Sequence, residues 1–181
     1  MYILAPSTYP YSQDHLRRDH PDTSFPSQMS DAMLAEWGVC PVTRVAPPDY
    51  NSITHRLIES QPVEVNGVWT QQWALEALSA EEAAANQADA DTALYESVVA
   101  ATQQRLDTFA QERGYDNILS ACTYASSSVV KFSTEGQYCV DARDATWDAL
   151  LTMLAEVQAG TRPRPSGYAD IEADLPVLVW P

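Results

Sequence analysis

Asn66-Gly67 separates two runs in which apolar and polar residues alternate, Val63-Glu64-Val65 before it and Val68-Trp69-Thr70-Gln71-Gln72-Trp73 after it. A two-residue hairpin turn of type I′ needs positive φ at both central positions, and Asn followed by Gly meets that need at the least steric cost. The stretch therefore predicts an antiparallel hairpin over about Thr54–Leu75. Period-two alternation then places Trp69 and Trp73 on one face of the second strand. That face has two readings: the core of a small sheet, where an aromatic pair supplies much of the burial, or a partner-binding face on a sheet too thin to cover both indoles.

The hairpin belongs to a first half rich in Pro, Tyr and β-branched residues, whereas Ala, Leu, Glu, Gln and Asp dominate from Ser79 to Gly160. Such a shift divides the chain into a β-rich module, residues 1–78, and a helical domain, residues 79–181. In the first, Met1 to Leu4 can form a short strand that Pro6 and Pro10 end. A short helix fits within Tyr11 to Asp19, stopped by Pro21, and another runs from an N-cap at Ser30 to Glu36, with Gly38 just past its end. Gly38 to Val45 reads as an edge strand, because Pro41 has no N–H to give a central ladder.

Ser79-Ala80-Glu81-Glu82 matches the S-x-x-E capping box and opens a long helix that should reach Arg113, ended by Gly114. Ala83 to Ala93 offers no bulky stripe and reads as an exposed connector, or as a seam along which identical helices approach. Leu94, Val98, Leu106 and Phe109 then recur close to helical spacing. Asp116 can cap a short helix to about Ala125. A last helix from about Ser133 to Ala159 carries Val140, Trp147, Leu150, Leu151, Leu154 and Val157, and should pack back on the Leu94–Phe109 stripe as a helical hairpin. The Pro-rich tail from Thr161 finishes Leu175-Pro176-Val177-Leu178-Val179-Trp180-Pro181, an apolar end that should dock on this domain or on a partner. The fold class expected is α+β: a small β-rich module with a WxxxW hairpin, joined by a long helix to a C-terminal helical hairpin.

Charge narrows the partners. With 25 acidic against 10 basic residues and a net charge of −15, the chain lacks the basic footprint that nucleic acid or an anionic membrane demands. No stretch approaches the roughly 20 apolar residues of a membrane span, and the N-terminal MYILAPSTYPYS does not read as a signal peptide. No catalytic constellation emerges: His15, His20 and His55 share no metal-ligand spacing, the six glycines stand singly at what read as helix or turn ends, and the clustered acids fall on a solvated helix. The expectation is a protein that is not an enzyme and needs no cofactor or metal.

Cys40, Cys122 and Cys139 form no CxxC pair, so they read either as reduced thiols or as a bridge made after release from the cell. Cys122 and Cys139 flank a loop between helices expected to pack together, which makes them the pair for a disulfide if their Cα atoms lie within the roughly 4.4–6.8 Å a bridge allows. Cys40 has no partner in that scheme and is the candidate for an intermolecular bond.

Tyr9-Pro10-Tyr11-Ser12, followed by Leu16-Arg17-Arg18-Asp19-His20-Pro21-Asp22-Thr23-Ser24-Phe25-Pro26, resembles the YPYS…LRRDNP-x-TSFP signature of small bacteriophage tail proteins, often encoded beside tail-fibre genes in phages of cyanobacteria and other aquatic bacteria. The likeness continues through Gly38-Val39-Cys40-Pro41-Val42, where relatives often have Tyr for Cys40, and Val65 to Trp73. In the second half it takes in Arg113 to Cys122 and Glu135 to Trp147. The resemblance implies a structural component of the virion tail, associated with tail fibre or baseplate and binding a fibre protein, made in the host cytoplasm. Its alternative is a tail-fibre assembly chaperone that leaves the mature particle. Tail-fibre or baseplate proteins are the implied partners, with further copies of the chain beside them. The family carries over no catalytic residue. Trp69, Trp73 and Trp180 are the partner-binding anchors expected, because aromatic residues dominate interface energies.

Overall fold

The first of two compact units, Met1–Gln87, is organised by five strands: β1 (Tyr2–Leu4), β2 (Thr8–Tyr11), β3 (Val39–Thr43), β4 (His55–Val65) and β5 (Val68–Ala77). The computed structural model describes all residues, Met1–Pro181. The β4–β5 turn forms as expected, with φ of 52° at Asn66 and 79° at Gly67. The strands make one mixed sheet in the order β2-β1-β3-β5-β4. It curls toward a half-barrel, since Tyr9 Oη on β2 donates to the Glu59 carboxylate on β4, and Gln61 Nε2 donates to the Ser7 carbonyl.

Two expectations are corrected here. Pro10 does not merely follow a strand but lies inside β2, a strand that alternation failed to reveal; β2 is an outer strand, where a missing N–H costs no ladder bond. Conversely β3, expected at an edge because of Pro41, lies between β1 and β5. Val42 N donates to Met1 O at 3.0 Å and Ala5 N to Gly38 O at 2.9 Å, so the Pro41 nitrogen points away from β1. The parallel ladder to β5 begins only at Val42, paired with Trp69, and Pro41 therefore sits where no donor is called for.

Two short helices cover one face of β1 and β3: α1 (Gln13–Asp19), capped by Ser12, and α2 (Asp31–Glu36), capped by Ser30. Tyr11, Leu16, Met29, Leu34 and Val39 form the core between them, with Tyr2, Leu4 and Phe25 packed around it. Leu16 and Leu34 are fully buried, each contributing about 2 kcal/mol of burial.

The second unit, Ala88–Pro181, takes most of α3 (Ala80–Gln111). The compositional boundary at 78/79 marks where strand gives way to helix, but the first turns of α3 stay with the sheet unit: Arg56 lies 3.7 Å from Glu82, and Asn86 Nδ2 donates to Ser52 O at 3.2 Å. The capping box closes as expected, Ser79 Oγ accepting from Glu82 N at 3.2 Å and Glu82 Oε2 from Ser79 N at 2.9 Å. The packed side of α3 is Val98, Thr102, Leu106, Phe109 and Ala110.

A short helix, α4 (Ile118–Thr123), runs on into a 3-10 turn over Tyr124–Ser126, and α5 (Val130–Gln158) follows. Asn117, not Asp116, caps α4, its Oδ1 accepting from Ser120 N at 2.8 Å. Helix α5 begins at Val130 rather than Ser133, whose hydroxyl instead donates to Val130 O within the first turn.

The buried stripe of α5 also differs from the one bulk suggested. It is Glu135, Gly136, Cys139, Ala142, Thr146, Leu150 and Met153, while Leu151 is 59% exposed. The reason is close backbone approach: a Cβ on Gly136 would stand 2.3 Å from Ala125 N and 2.5 Å from Tyr124 C. Gly136 therefore does not mark a helix end, as expected, but the point where α5 meets the 3-10 turn. The tail folds back over the helices, and Ile171 and Leu175 are buried with Val98, Leu150 and Met153.

Candidate functional site

The hairpin of the first unit presents two different faces, and a bulge decides which residues lie on each. Ser60 pairs with Gln72 but Val63 pairs with Thr70, so Gln61-Pro62 inserts one extra residue in β4. The insertion reverses the alternation of β4. As a result Ile58 (opposite Ala74), Val63 (opposite Thr70) and Val65 (opposite Val68) all fall on the same, outer face. Val63, Val65 and Val68, 51%, 48% and 50% exposed, cluster at the turn end of this face, and Ile58, 41% exposed, stands further along it beyond the Ser60–Gln72 pair. The pairing across the turn puts Val63, Val65 and Val68 on the face opposite Trp69 and Trp73, and Ile58 shares it only through the bulge.

Trp69 and Trp73 share the opposite, inner face with Gln71 and Glu59, as alternation required. Both indoles are half-buried. Trp73 Nε1 donates to Val45 O at 3.0 Å, and Val45 N donates to Gln71 Oε1 at 3.0 Å, so these two side chains staple the segment that follows β3. Gln71 Nε2 donates in turn to Glu59 at 2.7 Å, and the Glu59 carboxylate also takes the Tyr9 hydroxyl. Burial first, and that carboxylate second, push the Tyr9 phenol up to about 12. A shallow hollow of about 450 Å³ opens over this face beside Met1, Arg44, Glu59 and Trp73.

In the second unit the tail docks on its own domain through Trp180. Its ring stacks on Phe109 with centroids 4.2 Å apart and planes 10° apart, and the Arg113 guanidinium lies 5.3 Å from the ring centroid. Val179 N donates to Tyr138 Oη at 2.8 Å, completing the seat. Beneath it is the side chain that sequence reading passed over: Glu135, only 5% exposed, receives Tyr115 Oη at 2.8 Å and Arg113 Nη1 at 3.2 Å. It stands three and four residues from Phe132 and Cys139 along α5, and an acid at core spacing was the signal available. Burial, followed by the Glu135 carboxylate, pushes the Tyr115 phenol up to about 12.

Cys122 and Cys139 lie in one cluster with Leu106, Ala110, Ile118 and Ala121, and both stand as free thiols rather than as a bridge. Burial raises both, Cys139 to about 11, with the neighbouring Cys122 adding to the effect on Cys139. Cys40, half-buried on β3 opposite Ile3, is a free thiol in the sheet interior rather than at an edge.

Residues between Tyr9 and Pro26 build the fold of the first unit. Tyr11 Oη donates to Asp19 at 2.5 Å, Arg17 holds Asp14 and the carbonyls of Pro26 and Ser27, and Phe25 meets Trp37 edge-on at 5.3 Å. No group of three or more His, Cys, Asp or Glu side chains is placed to hold a metal ion, and no helix is long and apolar enough to cross a membrane. No family model, curated protein or solved structure matches the chain.

Proposed function

We propose that this chain is a non-enzymatic structural component of a bacteriophage tail, retained in the virion, which binds a tail-fibre or baseplate protein through the outer face of its hairpin. The observation that carries the reading is the face with Ile58, Val63, Val65 and Val68, four aliphatic side chains about half exposed on a strand pair. Apolar faces of this kind on a sheet are the usual material of protein–protein contact, and the surplus of acids elsewhere argues against a nucleic-acid partner. The phage-tail context rests on the resemblance of Tyr9–Ser12 and Leu16–Pro26 to the tail-protein signature.

Trp69 and Trp73 act behind this surface by fixing the strand that displays it, and Trp180 acts in the second unit by fixing the tail. Mass spectrometry of purified particles of the phage that encodes the chain tests the proposal. The protein is expected at a fixed ratio to the fibre or baseplate subunit. Its absence from particles, with presence in infected-cell lysate, would overturn retention and leave the assembly chaperone.

A further inference from the structure

Helices α3 and α5 run antiparallel in the second unit, since Val98 packs with Leu150 at one end and Leu106 with Cys139 at the other. Leu94 and Val98 are one turn apart on α3, and Leu150, Leu154 and Val157 repeat at helical spacing on α5. Between these two stripes lies a cavity of about 250 Å³, with Ile171 of the tail in its wall. Its lining runs from Asp91 to Val98 on one helix and from Leu150 to Gln158 on the other, so it is a slot about 10 Å long. The aliphatic walls offer water no hydrogen bond, whereas an apolar cavity of only about 150 Å³ already admits a benzene ring.

The polar residues of the lining narrow the ligand. Arg164 Nε lies 2.7 Å from Asp91, and Arg162 pairs with Glu156 at 3.7 Å and with Asp174. Three carboxylates thus surround two guanidiniums, and an anionic head group would find no uncompensated cation there. Tyr95 and Gln158 bring an uncharged hydroxyl and an amide to the same lining, and both are exposed enough to meet a head group at the mouth. The ion pairs also fix the shape. They tie the segment after α5 to α5 itself at Glu156 and to α3 at Asp91, so that segment bridges the two helices at one end of the slot. A partner helix lying along a groove needs that end open, whereas a slender chain entering from the mouth does not.

We propose that the slot between α3 and α5 binds a neutral amphiphile, a linear alkyl chain with an uncharged polar head. A slot about 10 Å long takes an extended chain of roughly eight carbons, given carbon–carbon bonds of about 1.5 Å. The chain lies between Leu94 and Val98 on one side and Leu150, Leu154 and Val157 on the other, and the head stays at Tyr95 and Gln158. Burial of the methylenes supplies the affinity, and the paired charges at the mouth supply the selection against ions.

The test titrates n-octanol into the full chain and follows intermolecular nuclear Overhauser contacts together with urea denaturation. Saturable contacts from the octanol chain to the methyl groups of Leu94 and Leu150 are expected. At an octanol concentration ten times its Kd, the unfolding constant should fall about elevenfold. Octanoate, the same chain length with a charged head, should bind at least about tenfold more weakly. Leu154→Phe puts a ring into the slot and should weaken octanol binding about tenfold. Absence of saturable contacts at Leu94 and Leu150, or undiminished binding by folded Leu154→Phe, overturns the site. Octanoate bound as tightly as octanol overturns the neutral head. Should Leu154→Phe fail to fold, the wild-type contacts decide the site alone.

Discussion

Trp73 in the first unit and Trp180 in the second each hold a segment without regular structure, and they use different parts of the indole. Trp73 uses its edge: the N–H reaches Val45 O while Gln71 takes the Val45 N–H, so a loop is fixed by satisfying its backbone. Trp180 uses its face: the ring lies on Phe109 and under Arg113, and its own N–H is left buried without an acceptor. The sheet unit thus locks its irregular parts by hydrogen bonds, which fix register at modest net energy. The helical unit locks its tail by area and close approach, which give more energy and tolerate orphaned donors.

The hardest test of this contrast is Gly136→Ala. The new Cβ would meet backbone atoms of Tyr124 and Ala125 inside 3.0 Å, and backbone cannot yield as a flexible side chain can. A loss of about 3 kcal/mol is expected in urea denaturation, the upper range for overpacking. A neutral result would mean that the helical unit is not held by close approach at all.

Next come the indoles themselves. Trp180→Ala should cost about 2 kcal/mol, because the stack on Phe109 and the cover over Tyr115 and Tyr138 are lost together. Trp73→Phe keeps an aromatic ring but removes the donor to Val45, for about 1 kcal/mol, with a smaller loss from the part of the indole that phenyl does not replace. Equal losses at the two sites would erase the distinction between edge and face.

A smaller effect is expected in alkali. Tyr9 and Tyr11 in the first unit and Tyr115 in the second are pushed from 10.0 up to about 12, by burial first and by the carboxylates of Glu59, Asp19 and Glu135 next. The folded state holds these protons more tightly than the unfolded chain. Their contribution is therefore fully present below pH 10 and lost as pH rises from 10 through about 12. Cys139, raised from 9.0 to about 11 by burial first, starts the decline earlier in the helical unit. Melting temperature should fall across this range while phenolate absorbance stays below that of the unfolded chain. Ordinary phenol titration in the folded protein would contradict it.

Apart from β2, the strand-helix order was legible because its signals are local. Asn66-Gly67, the caps at Ser30 and Ser79, and Gly160 after α5 each act within a few residues, and all took the conformations their chemistry demands. What was not legible depends on distant partners. Pro41 could sit inside a sheet only because β5 pairs from Val42 onward, and Gly136 and Glu135 look ordinary until the 3-10 turn and Arg113 arrive beside them. The candidate surface lies between these cases. The pairing across the turn puts Val63, Val65 and Val68 on one face, but the bulge at Gln61-Pro62 is what brings Ile58 onto it.

That face with its four aliphatics carries the proposed function, and Val63→Thr with Val65→Thr and Val68→Thr tests it most directly. Threonine keeps the β-branched shape, so stability should change by no more than about 0.5 kcal/mol per site. The proposal predicts that, on co-expression with tail-fibre and baseplate proteins encoded beside it, the wild-type chain co-purifies with one of them. The triple variant should bind it at least about tenfold more weakly. Undiminished binding by the triple variant, with loss in a folded Trp69→Ala/Trp73→Ala variant, would contradict the account and move the contact to the inner face.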